Sequence, residues 1–169
     1  MCGICGILNF RQNVTDVNKI NSMMSYMKHR GPDSEGVWYD KNVSFGFVRL
    51  SIIDLSSDGN QPMQDDSKNF TIVFNGEIYN YIELSDELSQ KGYDFKTKTD
   101  TEVLLKGFIE WGPDVLDKCN GMFAFAVHNN STGELFCARD RFGIKPFYYY
   151  FDKDTFIFCS EIIPIVKTF

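Results

Sequence analysis

The chain is poor in the residues that mark several common functional classes. It has two histidines, His29 and His128, and neither stands in a Ser/His or Cys/His arrangement of a conventional nucleophile and base. It has no basic cluster: 17 Lys and Arg face 23 Asp and Glu, a net charge of -6. That balance speaks against nonspecific binding to nucleic acid or to an anionic membrane surface. No apolar run approaches the roughly 20 residues of a membrane span. The N-terminus lacks the charged start and apolar run of a signal peptide, so no membrane partner is expected and the cytoplasm is the expected compartment. No internal repeat, low-complexity segment or linker-like stretch interrupts the chain. The glycine-rich phosphate loops of the Walker A and G-x-G-x-x-G types are absent as well.

Cysteine is present but not as a framework. The five residues Cys2, Cys5, Cys119, Cys137 and Cys159 are odd in number and widely scattered. Secreted disulfide scaffolds are usually even and denser, so reduced thiols are the simpler reading. Cys119, Cys137 and Cys159 lie among apolar residues and read as small buried hydrophobes.

What the chain does have is core-forming material. It is 43% hydrophobic, with 16 Phe and 8 Tyr, and its 169 residues suit one domain. "CGILNF" reads as a short buried strand. Thr15 or Asp16 can cap a helix over residues 17–29, whose Ile20, Met23, Met24 and Met27 recur at helical spacing. Gly31-Pro32 ends that helix. Strand-like runs follow at "EGVWYD", "VSFGFVRL" and "FTIVFN". Further helices are expected from about Tyr81 to Lys91, stopped by Gly92, and from about Thr101 to Trp111, with Asp100 at the N-cap. The last third is strand-rich: "GMFAFAVHN", "ELFCARD", "PFYYYF" and "FIFCS", joined by the turns "NSTG" and "DKDT". Short turns between strands favour antiparallel pairing, and helices between the early strands favour layers on the sheets. The fold class expected is α+β with mostly antiparallel sheet.

The opening "MCGICGI" admits two readings. As a C-x-x-C pair, Cys2 and Cys5 lack the following helix that lowers a redox thiol's pKa. In a strand, residues three apart point to opposite faces. A zinc site needs two further ligands, and none is spaced to supply them. As a single nucleophile, Cys2 becomes the N-terminus if Met1 is removed. It then carries a thiol beside an α-amine whose pKa, about 7.7–8.0, leaves a useful neutral fraction at pH 7. That amine can act as the base for its own side chain, so no histidine is needed.

The stretches "MCGICGI", "HRGPDSEG", "VRLSIIDLSSDGNQPM", "FNGEIYNY", "KTDTEVLL", "NGMFAFAVHN", "RDRFGIKPFYYY" and "CSEI" occur in that order. Together they resemble the glutaminase domain of the asparagine synthetase family, a class II glutamine amidotransferase with an N-terminal nucleophile. The resemblance runs from Met1 to about Glu161. It implies a four-layer α/β/β/α sandwich, the N-terminal nucleophile hydrolase fold. It also implies hydrolysis of the side-chain amide of L-glutamine to glutamate and ammonia. Carried onto this chain, Cys2 is the nucleophile, and Asn75 with the Gly76 backbone N–H forms the oxyanion hole. Arg49 binds the substrate carboxylate; Asp100, assisted by Glu77, binds its ammonium. The backbone around Leu50, Ser51, Ile52 and Ile53 lines the pocket, and "HRGPD" is a mobile loop that closes over glutamine. Without the resemblance, "NG" reads as a turn, Arg49 as a strand-end surface residue and Asp100 as a plain helix cap.

Two departures stand out. Many members of the family have His where this chain has Phe47, two residues before the arginine. The phosphate loop of the family's second domain, which binds ATP and activates aspartate with Mg, is also absent. The resemblance therefore implies an amidotransferase domain spanning residues 1–169, cut from a longer chain, needing no cofactor or metal of its own. It would pass ammonia to a missing C-terminal synthetase domain, with a homodimer as a further candidate assembly. Two alternatives go with it: a non-catalytic scaffold or interaction domain of the same fold, and an amidotransferase domain whose ammonia goes to a carboxylate other than aspartate.

Overall fold

The computed structural model describes residues 1–11, 15–51 and 59–169. Two antiparallel sheets lie between helical layers. The first sheet contains β1 (Gly3–Asn9), β2 (Ser34–Asp40), β3 (Val43–Arg49), β8 (Tyr148–Phe151) and β9 (Thr155–Cys159), in the order β2-β3-β1-β9-β8. The second contains β4 (Met63–Gln64), β5 (Phe70–Ile78), β6 (Gly121–Asn129) and β7 (Leu135–Arg139), in the order β4-β5-β6-β7. Among the described residues every strand pairing is antiparallel.

Three apolar clusters give the layers. Ile20, Met23, Met24 and Met27 of α1 (Val17–Met27) pack on Cys5, Ile7, Val48 and Cys159 of the first sheet. Ile4, Phe45, Phe47 and Phe158 meet Val73, Ala124 and Ala126 between the sheets. Leu84 and Leu88 of α2 (Tyr81–Gln90) and Val103, Leu104 and Leu105 of α3 (Asp100–Trp111) cover Ile72, Phe74 and Phe125 of the second sheet. The order is α/β/β/α, as the motifs imply. Strand alternation puts successive side chains of one strand into different interlayer spaces.

The local signals read from the sequence are mostly realised. The Asp16 carboxylate caps α1, accepting from the backbone N–H of Asn18 and Lys19. Gly92 adopts φ 95°, a left-handed conformation that glycine takes without a Cβ clash, and α2 stops there. The helix cap before α3 differs from expectation. Thr99, not Asp100, is the N-cap: its hydroxyl accepts from Glu102 N at 3.3 Å. Asp100 is the first helical residue, which frees its carboxylate for another partner. Two short helices have no counterpart in the sequence pattern, α4 (Val115–Lys118) and α5 (Ile162–Thr168). Pro164 sits in the first turn of α5, where its missing N–H leaves no helical bond unmade. Among the described residues no helix is long and apolar enough to cross a membrane.

Candidate active site

Cys2 lies just before β1, where the backbone is tied at two points. Its carbonyl accepts from Arg30 Nε at 3.0 Å, and two residues on, Ile4 N donates to Ser160 Oγ at 3.0 Å. Its sulfur meets the end of β3: Leu50 N donates to Sγ at 3.4 Å, and Sγ lies 3.5 Å from Leu50 O. Cys2 packs on the cluster between the sheets, whereas Cys5 is fully buried under α1. The two thiols thus serve different layers, and the C-x-x-C reading fails on geometry. Burial raises the Cys2 thiol pKa. The Leu50 N–H, the N-terminal ammonium, Arg49 and Lys145 each pull it down.

The cavity beside Cys2 is lined by Arg49, Leu50, Asn75, Gly76, Glu77 and Asp100, with Phe47, Gln61, Thr101 and Lys145 completing its wall. Its volume is about 100 Å³. Both sheets and α3 contribute to it. Ser51 is not among the lining residues; its N–H is held by Asp33 Oδ2 at 2.7 Å. Ile52 and Ile53 lie outside the described residues.

"NGE" is not a turn. Asn75, Gly76 and Glu77 are strand residues of β5, opposite Ala124, Phe123 and Met122 of β6. Val73 faces the first sheet and Phe74 faces α3, so Asn75 and Glu77 share the side that looks toward Cys2. The Asn75 Nδ2 is buried and has no hydrogen-bond partner among the described residues. Gly76 has a packing reason to be glycine. A Cβ there would meet Met122 O at 2.5 Å and Phe123 Cα at 2.8 Å, on the protein's own neighbouring strand. The requirement comes from the sheet rather than from clearance for a substrate.

Asp100 is buried and its Oδ2 accepts from Ile78 N at 3.0 Å, joining the start of α3 to the end of β5. Burial raises its pKa to about 6, and the Glu77 carboxylate adds to the rise, against the lowering by backbone N–H groups. The turn before it is built by Glu102. That carboxylate accepts from Lys96 N, Thr97 N and Thr97 Oγ1, and pairs with Lys106 Nζ at 2.7 Å. Gln61 links the same two elements: Phe74 N donates to its Oε1 at 2.6 Å, and its Nε2 donates to Thr101 Oγ1 at 3.1 Å.

Arg49, at the end of β3, is 7% exposed rather than a surface residue. Its Nη1 donates to Asn60 Oδ1 at 2.8 Å. Phe47, in the position where a histidine was expected, is 1% exposed and belongs to the core between the sheets. It floors the cavity with an apolar ring and leaves the polar groups above it in place. The segment "HRGPD" is tied to β3 and to Glu161. Arg30 Nη1 donates to Glu161 Oε1 at 3.2 Å, and Asp33 N donates to Arg49 O at 3.0 Å. A Cβ on Gly31 would fall 2.3–2.4 Å from the Val48 and Arg49 backbone, so that stretch lies directly on β3. Arg30 braces the Cys2 backbone from below.

Among the described residues no group of three or more His, Cys, Asp and Glu is placed to hold a metal ion. The histidines are remote from this chemistry. His29 Nε2 sits 2.9 Å from Glu161 on the surface, and His128 is buried between the sheets beside Trp38 and Phe45.

A family model described as a glutamine amidotransferase domain matches residues 1–169. The chain belongs to the glutamine amidotransferase domain family. Within that family it is similar to asparagine synthetase [glutamine-hydrolyzing] 1 of Bacillus subtilis, at 46% identity over 95% of this chain and 26% of the relative. It is 34% identical to asparagine synthetase B [glutamine-hydrolyzing] of Escherichia coli, over 99% of this chain and 31% of that one. The amidotransferase domain thus spans about a quarter to a third of the length of these relatives. Among solved structures, glutamine phosphoribosylpyrophosphate amidotransferase of B. subtilis superposes with a TM-score of 0.81 at 19% identity, over 99% of this chain and 43% of that one. An allosteric regulatory enzyme of purine biosynthesis superposes with a TM-score of 0.85, also at 19% identity. These two likenesses bear on the fold, which is the one that the motifs of this amidotransferase domain imply.

Proposed function

We propose that this domain hydrolyses the side-chain amide of L-glutamine through Cys2, after removal of Met1, and releases glutamate and ammonia. One observation carries the reading: the buried Asn75 Nδ2, unpartnered among the described residues, on the wall of the cavity that also holds the Cys2 thiol. A native fold rarely leaves a buried donor without a partner, because that costs about 1–3 kcal/mol. A donor kept free beside a nucleophile is an oxyanion site.

The steps follow from the groups present. The Cys2 α-amine takes the thiol proton, and sulfur attacks the amide carbon. Negative charge on the carbonyl oxygen is met by Asn75 Nδ2 and the Gly76 N–H. The C–N bond breaks, the amine returns its proton to the leaving nitrogen, and ammonia departs from a glutamyl thioester. Water, deprotonated by the same amine, releases glutamate and restores the thiol. Arg49 holds the substrate α-carboxylate, with Asp100 and Glu77 on its ammonium; Leu50 closes the pocket beside them. No cofactor enters these steps. The relatives are named for glutamine hydrolysis coupled to asparagine synthesis, and the ammonia is read here as destined for a C-terminal synthetase domain that would carry the ATP and Mg chemistry.

The test is to incubate the domain, with Met1 loss confirmed by intact mass, with L-glutamine. Glutamate and ammonia are expected in equal amounts. Glutaramate, which lacks the α-amine, is expected to be a poor substrate. A processed sample that releases no glutamate overturns the reading.

Asp100 provides a second check. Its folded pKa of about 6 lies above the ordinary 3.8, so the ionised carboxylate opposes folding. That cost is fully present above pH 6 and vanishes as pH falls toward the unfolded value, and it amounts to about 3 kcal/mol. Asp100→Asn is therefore expected to raise Tm at pH 7.5. It should also raise the KM for glutamine by roughly 10- to 100-fold, through loss of a charge-assisted contact. Thermal melts and steady-state kinetics read the two effects, which have opposite consequences for fitness of the fold and of the site.

A further inference from the structure

One charged side chain of the cavity has no part in these steps. Lys145 is 5% exposed, lines the cavity with Cys2, and makes no ion pair among the described residues. Among the described residues its only side-chain contact of hydrogen-bonding type is Met1 Sδ, 3.7 Å from Nζ. Burying an ammonium without a carboxylate is costly, and folds that do so usually gain something else by it.

The loop "RDRFGIK" is built to put it there. Asp140 accepts from Phe123 N, Ile144 N at 2.9 Å and Lys145 N at 2.9 Å, so its carboxylate is engaged by backbone. Arg139 donates from Nε to Lys145 O at 2.6 Å and from Nη2 to Gly143 O at 2.6 Å. Gly143 takes φ 64°, and its N–H returns to Asp140 O at 2.9 Å. Arg139 and Asp140 thus hold main chain, Arg141 pairs with Asp117 Oδ1 at 3.1 Å on the surface, and the lysine is left to face the cavity.

We propose that Lys145 is the fixed cation of the nucleophile site, delivered to Cys2 by this loop. The proposal rests on the glutaminase reading for its consequence, though not for its geometry. The other charges near Cys2 are Arg49 from β3, Glu77 from β5, Asp100 from α3, the terminal amine and Arg30. Substrate engages the first three, Arg30 is held by the Cys2 carbonyl and by Glu161, and Lys145 is left. When Met1 leaves, the thioether contact goes with it and the free amine moves to Cys2. A nearby cation favours the anionic sulfur and disfavours the protonated amine. Both effects raise the share of enzyme ready to react at neutral pH, where burial of the thiol works against it. Lys145 acts through Cys2 and is a positioning residue in the electrostatic sense.

The experiment compares Met1-processed wild type with Lys145→Met, Lys145→Gln and Lys145→Arg. Two profiles are recorded against pH: alkylation of Cys2 by iodoacetamide, followed by peptide mass, and kcat/KM for glutamine. The neutral variants are expected to move the alkylation midpoint and the acid limb of kcat/KM up by about one pH unit. Activity then falls about tenfold at pH 7 and recovers at high pH. The arginine variant, which keeps the charge, should stay near wild type. Unmoved profiles in both neutral variants overturn the proposal. So does an equal loss at every pH in all three, the signature of a purely structural lysine. If wild type hydrolyses no glutamine, the glutaminase reading falls by itself, and the alkylation midpoint still decides the role of Lys145.

Discussion

Cys2→Ala is expected to abolish glutamine hydrolysis, with a loss on the order of 10⁶ in kcat, as when other enzymes lose their nucleophile. No other group can substitute. Cys5 is fully buried on the far side of the first sheet, and its thiol is pushed well above the ordinary range by burial. Burial pushes the Cys119 thiol up to about 11, and those of Cys137 and Cys159 up to about 12. Neither histidine lines the cavity. The sulfur's structural contacts are two long hydrogen bonds to Leu50, so stability should change by about 1 kcal/mol or less. Glutamate release and a thermal melt measure both quantities. Residual activity within 100-fold of wild type, with an intact fold, would remove Cys2 from the chemistry. Retention of Met1 should mimic the alanine variant, because a peptide bond then replaces the base.

Asn75→Ala should lower kcat by about 10²–10³, or about 2.7–4 kcal/mol of transition-state stabilisation. The loss falls on kcat more than on KM, because the amide carbonyl of bound glutamine carries little charge before sulfur attacks. Stability is expected to behave differently. Nδ2 is buried without a partner among the described residues, so deleting it removes a desolvation cost of about 1–3 kcal/mol while opening a small space. Tm should hold or rise. Parallel loss of activity and stability would instead mark Asn75 as a packing residue. Steady-state kinetics beside calorimetry separates the two cases.

Residues whose role depends on near neighbours in the chain were legible in advance. The Met stripe of α1, the Asp16 cap, the stop at Gly92 and the strand of "CGILNF" all appear where periodicity and capping place them. Each is set by contacts a few residues away, and those recur with fixed spacing. The site motifs were legible as a resemblance, and it names Cys2, Arg49, Asn75, Gly76, Glu77 and Asp100, which line one cavity. Local rules taken alone would have misread four of these residues. "NG" looks like a turn and is mid-strand; Asp100 looks like the helix cap, yet Thr99 holds that place; Arg49 looks like a surface residue and is buried.

By itself, then, the sequence determined the composition class, most helices and strands, the family resemblance and the placement of a thiol directly behind Met1. It could not show that Asp100 is tied to Ile78, that Arg30 braces Cys2, or that Lys145 lines the same cavity with no ion pair among the described residues. These relations join residues 22, 28 and over 140 positions apart. Only the stacking of two sheets brings them together, because strand register decides which face each side chain occupies and which neighbour it meets. Local propensity carries no record of that pairing.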